Sequence, residues 1–531
     1  MVGLCLGMLL AAVDQTIVAT SIRTISDDLN GYSLQVWATT AYLITSTLTT
    51  PLYGKLSDMY GRKRLFLTAI TVFIACSALC TAAQSMWQLT GCRALQGIGA
   101  GGLMSLSLAI LGDLVSPRER ARYQGYILSV YGLASVLGPV LGGLLAGQRS
   151  LWGIAGWRWV FLVNLPVGLL ALAAVHRGIH LPKRTRCRVR VDWPGTVVLA
   201  VGIVPLLLVA EQGRLWGWVS TRALICYSIA ALGVLAFIAV EAKMSDAAII
   251  PLRLFGNSTF AVGVAISAIV GAAMFGGIAL IPQYLQVARG ADPVLSGVQM
   301  LPIMFGLISG ALLSSRVVAR TGRYRLLPIC GSTVMTLGLF LMHYLTADSP
   351  FWMIGIYMVV TGFGLGIAIQ PLTMAIQNAA APSDIGVATA SATFFRQIGG
   401  TLGVSGLMAL LFDRLTPDIT TSLQHSGTTP AFRSAVLRGL GGTNADNADF
   451  ARGLAAHNGS AVAKLLDDST VIGRLDPVLA QPIRDGFAAS MSVVVLAAAG
   501  ITLVAVALTL CWKEIPLRAD SALQPSTTAT G

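Results

Sequence analysis

Apolar residues in this chain come in long blocks, and polar residues gather in short connections between them. A block of about twenty apolar residues is what an α-helix needs to cross the hydrocarbon core of a bilayer. Fourteen such blocks predict membrane-spanning helices, at 2–22, 35–54, 65–84, 89–113, 126–147, 160–175, 194–211, 223–241, 260–285, 297–318, 326–345, 351–378, 388–412 and 487–512. The stretch 413–486 breaks the pattern: it mixes acids and bases and is rich in Gly, Thr, Asn and Ser. It is expected outside the membrane, either as a loosely packed loop or as a docking element for an extracytoplasmic partner. Two apolar-periodic pieces within it, 431–440 and 461–474, predict short helices. The tail 513–531 reads as disordered. The first span begins almost at Met1 without a basic flank, so the true start is expected upstream.

Composition agrees with the blocks. Hydrophobic residues make up 55% and charged residues 11% of the chain, whereas soluble domains carry about 25% charged residues. A net charge of +13 suggests a nucleic-acid partner only until the charges are located. Most Lys and Arg sit in the even-numbered connections, which places those and both termini on the cytoplasmic side. The densest run, His176–Asp192, is expected to touch anionic membrane lipid. Arg outnumbers Lys, and Ala and Gly abound, which points to a bacterial source and a plasma-membrane location. The eight cysteines form no paired framework, and Cys76 and Cys80 share a face with no His or acid beside them, so no metal is expected. No phosphate-binding GxxxxGK[ST] loop and no nucleophile–base–acid arrangement occurs. An enzyme is not expected, and neither is a cofactor. The energy source would be an ion gradient or the substrate's own.

The connection after the second block, GKLSDMYGRKR at 54–64, holds two glycines, one acid and four basic residues. Positive-inside sorting accounts for the cations and leaves Asp58 unexplained. Gly54, Asp58, Gly61, Arg62 and Lys63 match the signature loop between spans two and three of the Major Facilitator Superfamily, which this chain resembles. Further stretches, AVDQTIVATSIRTI (12–25), GWRWVFLVNLPVG (156–168), IPQYLQVARG (281–290) and FFRQIGGTLGVS (394–405), resemble its fourteen-span drug:proton antiporters. The resemblance implies an all-α polytopic membrane protein of major facilitator fold, two six-helix bundles with an inserted helix pair. The implied division is a bundle at 1–176, a basic linker at 177–193, the pair at 194–241, a second bundle at 242–512 that includes 413–486, and the tail at 513–531.

Internal repetition supports two related halves. Gly61, Arg62 and Arg64 recur as Gly322, Arg323 and Arg325, with Ala319 where the first copy has Asp58. Gly97, Gly99 and Gly101 recur as Gly362, Gly364 and Gly366, with Met358 in place of Arg93. The glycines at 97, 99 and 102 formally match a dinucleotide fingerprint, but they lie inside an apolar span with no strand before them. Close helix packing is the expected use.

Asp14 lies in mid-span, where an ionisable group is a functional candidate by default. Arg93, Gln96 and Gly97 share a helical face of span four. By the resemblance, Asp14 and Arg93 take part in proton coupling, with Asp14 carrying the proton because an arginine does not release its own. The resemblance also implies a conformational latch built from the signature loop and Asp113, as an Asp58–Arg62–Asp113 cluster. A half-exposed cluster of this kind contributes only about 0–1 kcal/mol. Gly132, Gly138, Pro139, Gly142 and Gly143 in span five resemble the family's antiporter motif. The substrate cavity is expected between spans one, four, nine and twelve, lined by Gln96, Met274, Phe275, Gln283, Gln370 and Gln377. The leading expectation is proton-driven export of amphipathic small molecules. An exporter or flippase of an endogenous lipid or metabolite, an uptake symporter, and a membrane sensor or scaffold stay open.

Overall fold

A computed structural model describes the chain except residues 30, 32–33, 116, 149, 180–191, 245–246, 292, 442–443, 456–471, 473, 513–515 and 517–531. The basic run after Ile179, most of the piece 461–474 and the tail expectation therefore lie largely outside the described residues.

Among the described residues the only strands are a two-residue pair, Ser150–Leu151 against Ile154–Ala155. The rest of the regular structure is helical. The first half contains α1 (Val2–Asp28), α2 (Gln35–Tyr60), α3 (Arg62–Thr81), α4 (Met86–Leu114), α5 (Pro117–Ala146), α6 (Arg158–Leu162) and α7 (Asn164–Gly178). A pair follows, α8 (Trp193–Trp216) and α9 (Thr221–Met244). The remainder comprises α10 (Ser258–Gln283), α11 (Pro293–Gln299), α12 (Leu301–Thr321), α13 (Leu326–Met342), α14 (Phe351–Ala379), α15 (Ile385–Gly427), α16 (Pro430–Gly441), α17 (Ala445–Ala455) and α18 (Pro477–Leu510).

Every block read as a span is largely helical, with 160–175 divided between α6 and α7 and 297–318 between α11 and α12. Twelve helices among the described residues are long and apolar enough to cross a membrane. Of the other two expected spans, α13 is apolar but has 17 residues, and α2 is long enough but is diluted by Thr and Ser between Thr39 and Thr50. The outer faces are greasy: Trp87, Leu170, Leu235, Phe305 and Leu503 are all exposed. In α9 only 17% of the spanning window is buried inside the protein. Such a surface is compatible with a hydrocarbon surround and not with water.

The packing pairs repeat between halves. α2 and α3 flank α4 as α12 and α13 flank α14, and α1 packs on α5 and α7 as α10 packs on α15 and α18. The glycines make this possible. A Cβ at Gly97 or Gly101 would strike the α2 carbonyl oxygens of Tyr42 or Ser46 at 2.4 Å, and one at Gly99 would meet the Ala69 carbonyl oxygen of α3 at 2.7 Å. Gly362 and Gly366 meet α12 in the same way, and Gly364 meets α13. Between halves, α2 packs on α15 and α5 on α12, which are equivalent seams under the repeat. The α8–α9 pair has no counterpart. Leu199, Ile203 and Leu207 of α8 cluster with Ile44 of α2 and Phe394 of α15, so the pair sits on one seam only. Buried Glu241 secures its far end by accepting hydrogen bonds from the Ile249 and Ile250 amides at 3.1 and 3.4 Å.

The expectation of a loose loop at 413–486 is corrected. α15 continues to Gly427 and α18 begins at Pro477, so both helices extend beyond their apolar blocks. Ser490, just inside the apolar block of α18, donates to Asp418 in the extension of α15 at 2.8 Å and ties the two helices together. The expected piece 431–440 is α16, while α17 forms in a segment whose polarity gave no helix signal.

Candidate functional site

The apolar sequence around Asp14 leaves its carboxylate no water, so neighbouring helices must supply every partner. They do. Arg93 Nη1 of α4 lies 2.5 Å from Asp14 Oδ2, and Gln96 Nε2, one turn along α4, donates to Oδ1 at 3.0 Å. Asn164 Nδ2, at the start of α7, donates to the same Oδ1 at 2.6 Å and to Ser77 Oγ of α3 at 3.0 Å. Gln96 Oε1 in turn accepts from Arg93 at 2.9 Å. The guanidinium carbon stands 4.0 Å over the ring centre of Tyr42 from α2. Asp14 is 0% and Arg93 1% exposed, so the pair is sealed. Three helices, α1, α4 and α7, thus meet on one carboxylate, and α2 and α3 hold its partners.

Of this set, Asp14, Arg93 and Gln96 are residues that the sequence singles out. Gln96 was expected to line the substrate cavity, and that is corrected: its amide is consumed by Asp14 and Arg93. Asn164, Ser77 and Tyr42 were missed. The signal was an Asn in the apolar run FLVNLPVG, but an uncharged amide in a span does not by itself demand a partner as a carboxylate does.

At one end of the bundle, the turn at Gly61 (φ 96°) joins α2 to α3 and brings the signature loop inside. Arg62 Nη2 lies 2.9 Å from Asp58 Oδ1, and Arg62 Nε lies 2.8 Å from Asp113 Oδ2 at the end of α4. Arg62 also donates to the Ala109 carbonyl. The second Asp58 oxygen crosses between halves and accepts from the Val387 amide at 3.1 Å, in the first turn of α15. A helix N-terminus favours an anion there. The cluster is buried, with side chains 1% (Arg62), 10% (Asp58) and 4% (Asp113) exposed. The half-exposed estimate is therefore corrected: losing one partner of a buried pair costs about 3–5 kcal/mol. Gly54 permits the approach, since a Cβ there would lie 2.4 Å from Ala390 Cβ and 3.0 Å from the Gly386 carbonyl oxygen. Lys63 stands apart from the cluster and donates to the His176 carbonyl at 2.8 Å.

Among the described residues, two cavities lie between the halves. The one nearer Asp58 holds about 660 Å³ of empty space and is lined by Met8, Leu108, Gln124, Met274, Gln370 and Arg396 among others. The second holds about 630 Å³ and includes Gln15, Tyr42, Thr47, Glu211 and Thr401. Met104, Phe275 and Gln397 belong to both. Of the expected lining residues, Met274, Phe275 and Gln370 are placed there. Gln283 lies more than two turns beyond Phe275, where α10 passes into the π turn Tyr284–Ala288, and it lines neither cavity. Gln377 is buried and donates to Thr389 of α15 at 2.8 Å, also away from both. Gln15, Glu211, Arg396 and Gln397 were not singled out.

The span-five glycines act as contact points on α5. A Cβ at Gly138 would lie 2.0 Å from Thr16 Oγ1, and one at Gly142 would lie 2.2 Å from Thr20 Oγ1, both on α1. Gly132 faces Met304 of α12 and Pro139 faces Gly297 of α11, so this helix also touches the other half. Gly143 is exposed. Among the described residues no His, Cys, Asp and Glu group could hold a metal ion.

A family model described as Major Facilitator Superfamily matches residues 4–404. The chain is 35% identical over 447 residues to the multidrug transporter protein MdtP of Bacillus subtilis, across 83% of this chain and 81% of that protein. It is 34% identical over 404 residues to multidrug resistance protein 3 of the same organism, across 76% and 77%. The uncharacterized MFS-type transporter Rv1877 of Mycobacterium tuberculosis is 33% identical over 518 residues, across 97% of this chain and 69% of that one. Among solved structures, the proton:xylose symporter XylE superposes with a TM-score of 0.55 at 15% identity, covering 96% of this chain and 98% of that one. The human organic anion transporter MFSD10 gives 0.56 at 14% identity, covering 96% and 98%.

Proposed function

Because the chain belongs to the Major Facilitator Superfamily, we propose that it is a proton-coupled transporter that exports amphipathic, drug-like compounds from the cytoplasm by alternating access. Its relatives include multidrug transporters at about one-third identity. The observation that carries the coupling is the sealed Asp14–Arg93 pair beside Tyr42, whose ring lines the second cavity.

The physical argument is one of incompatible charges. With Asp14 ionised, the pair is internally neutral and its carboxylate has three donors. Protonating Asp14 in place would leave Arg93 as an uncompensated buried cation, at a cost of about 3–5 kcal/mol. The proton therefore binds favourably only where α1 and α4 have moved enough for Arg93 to find water or another anion. That makes protonation and rearrangement one event, which is what coupling requires. Proton binding from outside and substrate binding from inside then select opposite arrangements of the two halves.

The Asp58–Arg62–Asp113 cluster, with the Asp58 link to α15, would hold the cytoplasmic end shut in one arrangement. The cavities would take the substrate, Met and Phe giving an adaptable apolar wall and Gln370 and Gln397 adding polar contacts. On this reading the termini are cytoplasmic and the protein lies in the plasma membrane.

The test uses inverted membrane vesicles acidified inside by respiration and reported by a pH-sensitive dye. Cationic and neutral drugs are added to vesicles carrying wild type or Asp14→Asn. Substrate-dependent proton release by wild type alone is the expected outcome. Release by both would move the coupling acid away from Asp14, and no release with any compound would defeat drug:proton exchange.

A further inference from the structure

α8 presents Leu199, Ile203 and Leu207 to the seam between α2 and α15, at successive i, i+4 positions. The next member of that series is Glu211. An apolar stripe thus ends in a carboxylate that continues along the same face of the helix. It lines the second cavity together with Gln15 of α1 and Thr401 of α15. Glu211 is partly exposed there, and among the described residues it makes neither a hydrogen bond nor an ion pair. The described lining of this cavity contains no cation. Arg93 is committed to Asp14 behind the Tyr42 ring, and Arg396 lines the adjoining cavity.

An anion in such a place has a missing partner. Hydroxyls and amides such as Thr47, Gln15 and Gln397 soften the environment, but they supply no opposite charge. At membrane depth a carboxylate without a counterion is costly, and it is retained where a cavity brings it one. Phe275, shared by both cavities, offers an aromatic wall to the same space. A carboxylate beside an aromatic face suits a delocalised or alkylated monovalent cation, because such ions give up hydration easily.

We propose that Glu211 is the residue that recognises the positive charge of cationic amphiphiles, making the inserted α8–α9 pair part of the substrate site. This rests on the export reading above. It also gives the pair a role that the internal repeat does not explain, since the equivalent seam between α5 and α12 has no such insert. The site separates two jobs: Asp14 answers to protons out of reach of the cavity, and Glu211 answers to the charge of the cargo. Neutral compounds would use the same walls without needing Glu211.

The full-length protein in detergent is titrated with radiolabelled tetraphenylphosphonium and, separately, with chloramphenicol as a neutral probe. Glu211→Gln should weaken tetraphenylphosphonium binding about tenfold or more and leave chloramphenicol within about twofold. Glu211→Asp, which keeps the charge, should retain most of the cation affinity and so separates charge from folding. Unchanged cation binding in Glu211→Gln overturns the inference. Equal loss of both probes overturns it as well, by making the residue structural. Wild-type protein that binds no tetraphenylphosphonium overturns it outright. Chloramphenicol export by the same proteins in proteoliposomes under an imposed pH gradient reads the export proposal separately. Glu211-dependent cation binding without any wild-type export would keep this site and defeat export; the converse would keep export and defeat the site.

Discussion

A buried ion pair is easier to break than to replace, and the Asp14–Arg93 pair makes that testable. The second half of the chain shows the apolar solution: Met358 is fully buried where the first half has Arg93. Arg93→Met alone should lower the unfolding free energy by about 3–5 kcal/mol, because Asp14 loses its counterion. The double variant Asp14→Asn, Arg93→Met should recover most of that loss in a thermal melt of the detergent-purified protein, yet remain unable to couple transport to protons. If the double variant melts as early as the single one, the pair is holding the fold by packing rather than by charge. At this scale the sequence disclosed the charged members and concealed the neutral ones. Asp14 and Arg93 are conspicuous because a charge in an apolar run requires a reason. Asn164 and Tyr42 are ordinary span residues until three helices converge on one carboxylate. Glu211 hid for another cause: it falls at the polar edge of its block, where an acid looks like the start of a loop.

Helices here approach each other as closely as backbone allows, and the approach is set glycine by glycine. On α4, Gly97 lies against the Tyr42 carbonyl, whereas a Cβ at Gly91 would meet nothing within 4 Å. Gly97→Val should therefore force α2 and α4 apart and cost about 1–3 kcal/mol or more. Gly91→Val, on the same helix and with the same change in volume, should be close to neutral. Thermal melts of the two purified variants check the contrast, and equal effects would mean that helix propensity rather than packing governs this surface. The alternating glycines at 97, 99 and 101 were legible as close-packing signals because they recur at 362, 364 and 366. The helical ends around 413–486 were not. Hydropathy reports where lipid lies and says little about a helix once it leaves the membrane, so the polar extensions of α15 and α18 looked like a loop. Asp418 of the α15 extension and Ser490 of α18, which tie the two helices together, are common residue types with no signal of their own.

The whole molecule is close to two-fold in its packing and asymmetric in its chemistry. Each half repeats the same helix pairs, but the acid of the signature loop, the buried Arg and the inserted pair all fall on one side of that symmetry. The large-scale plan was legible because the loop motif and the glycine series recur, while the seam occupied by α8 could be learned only from packing. The seam between α2 and α15 is where the asymmetry has mechanical consequences. Asp58 is held by Arg62 within its own half and by the Val387 amide across the gap. Gly54 and Gly386 leave room for that closure: a Cβ on Gly386 would stand 2.5 Å from the Asp58 carboxylate oxygens. Asp58→Asn removes the charge that both Arg62 and the α15 N-terminus favour, and Gly386→Leu removes the space. Both should open this end without unfolding the protein, because Arg62 keeps Asp113 and the Ala109 carbonyl as partners within its own half. Gln370 lines the cavity nearer Asp58 and so reports the opening. In a background lacking the native cysteines, Gln370→Cys should react with a membrane-impermeant maleimide faster from the Asp58 side when either substitution is added. With the closure balanced to within a few kcal/mol, the rate should rise about tenfold or more. Gly386→Leu without Asp58→Asn is the informative arm, since it leaves every charge in place. If it accelerates labelling as strongly as Asp58→Asn, steric fit and charge are both required for closure. Should neither variant change the rate, the cluster holds α2, α3 and α4 together and plays no part in the gate.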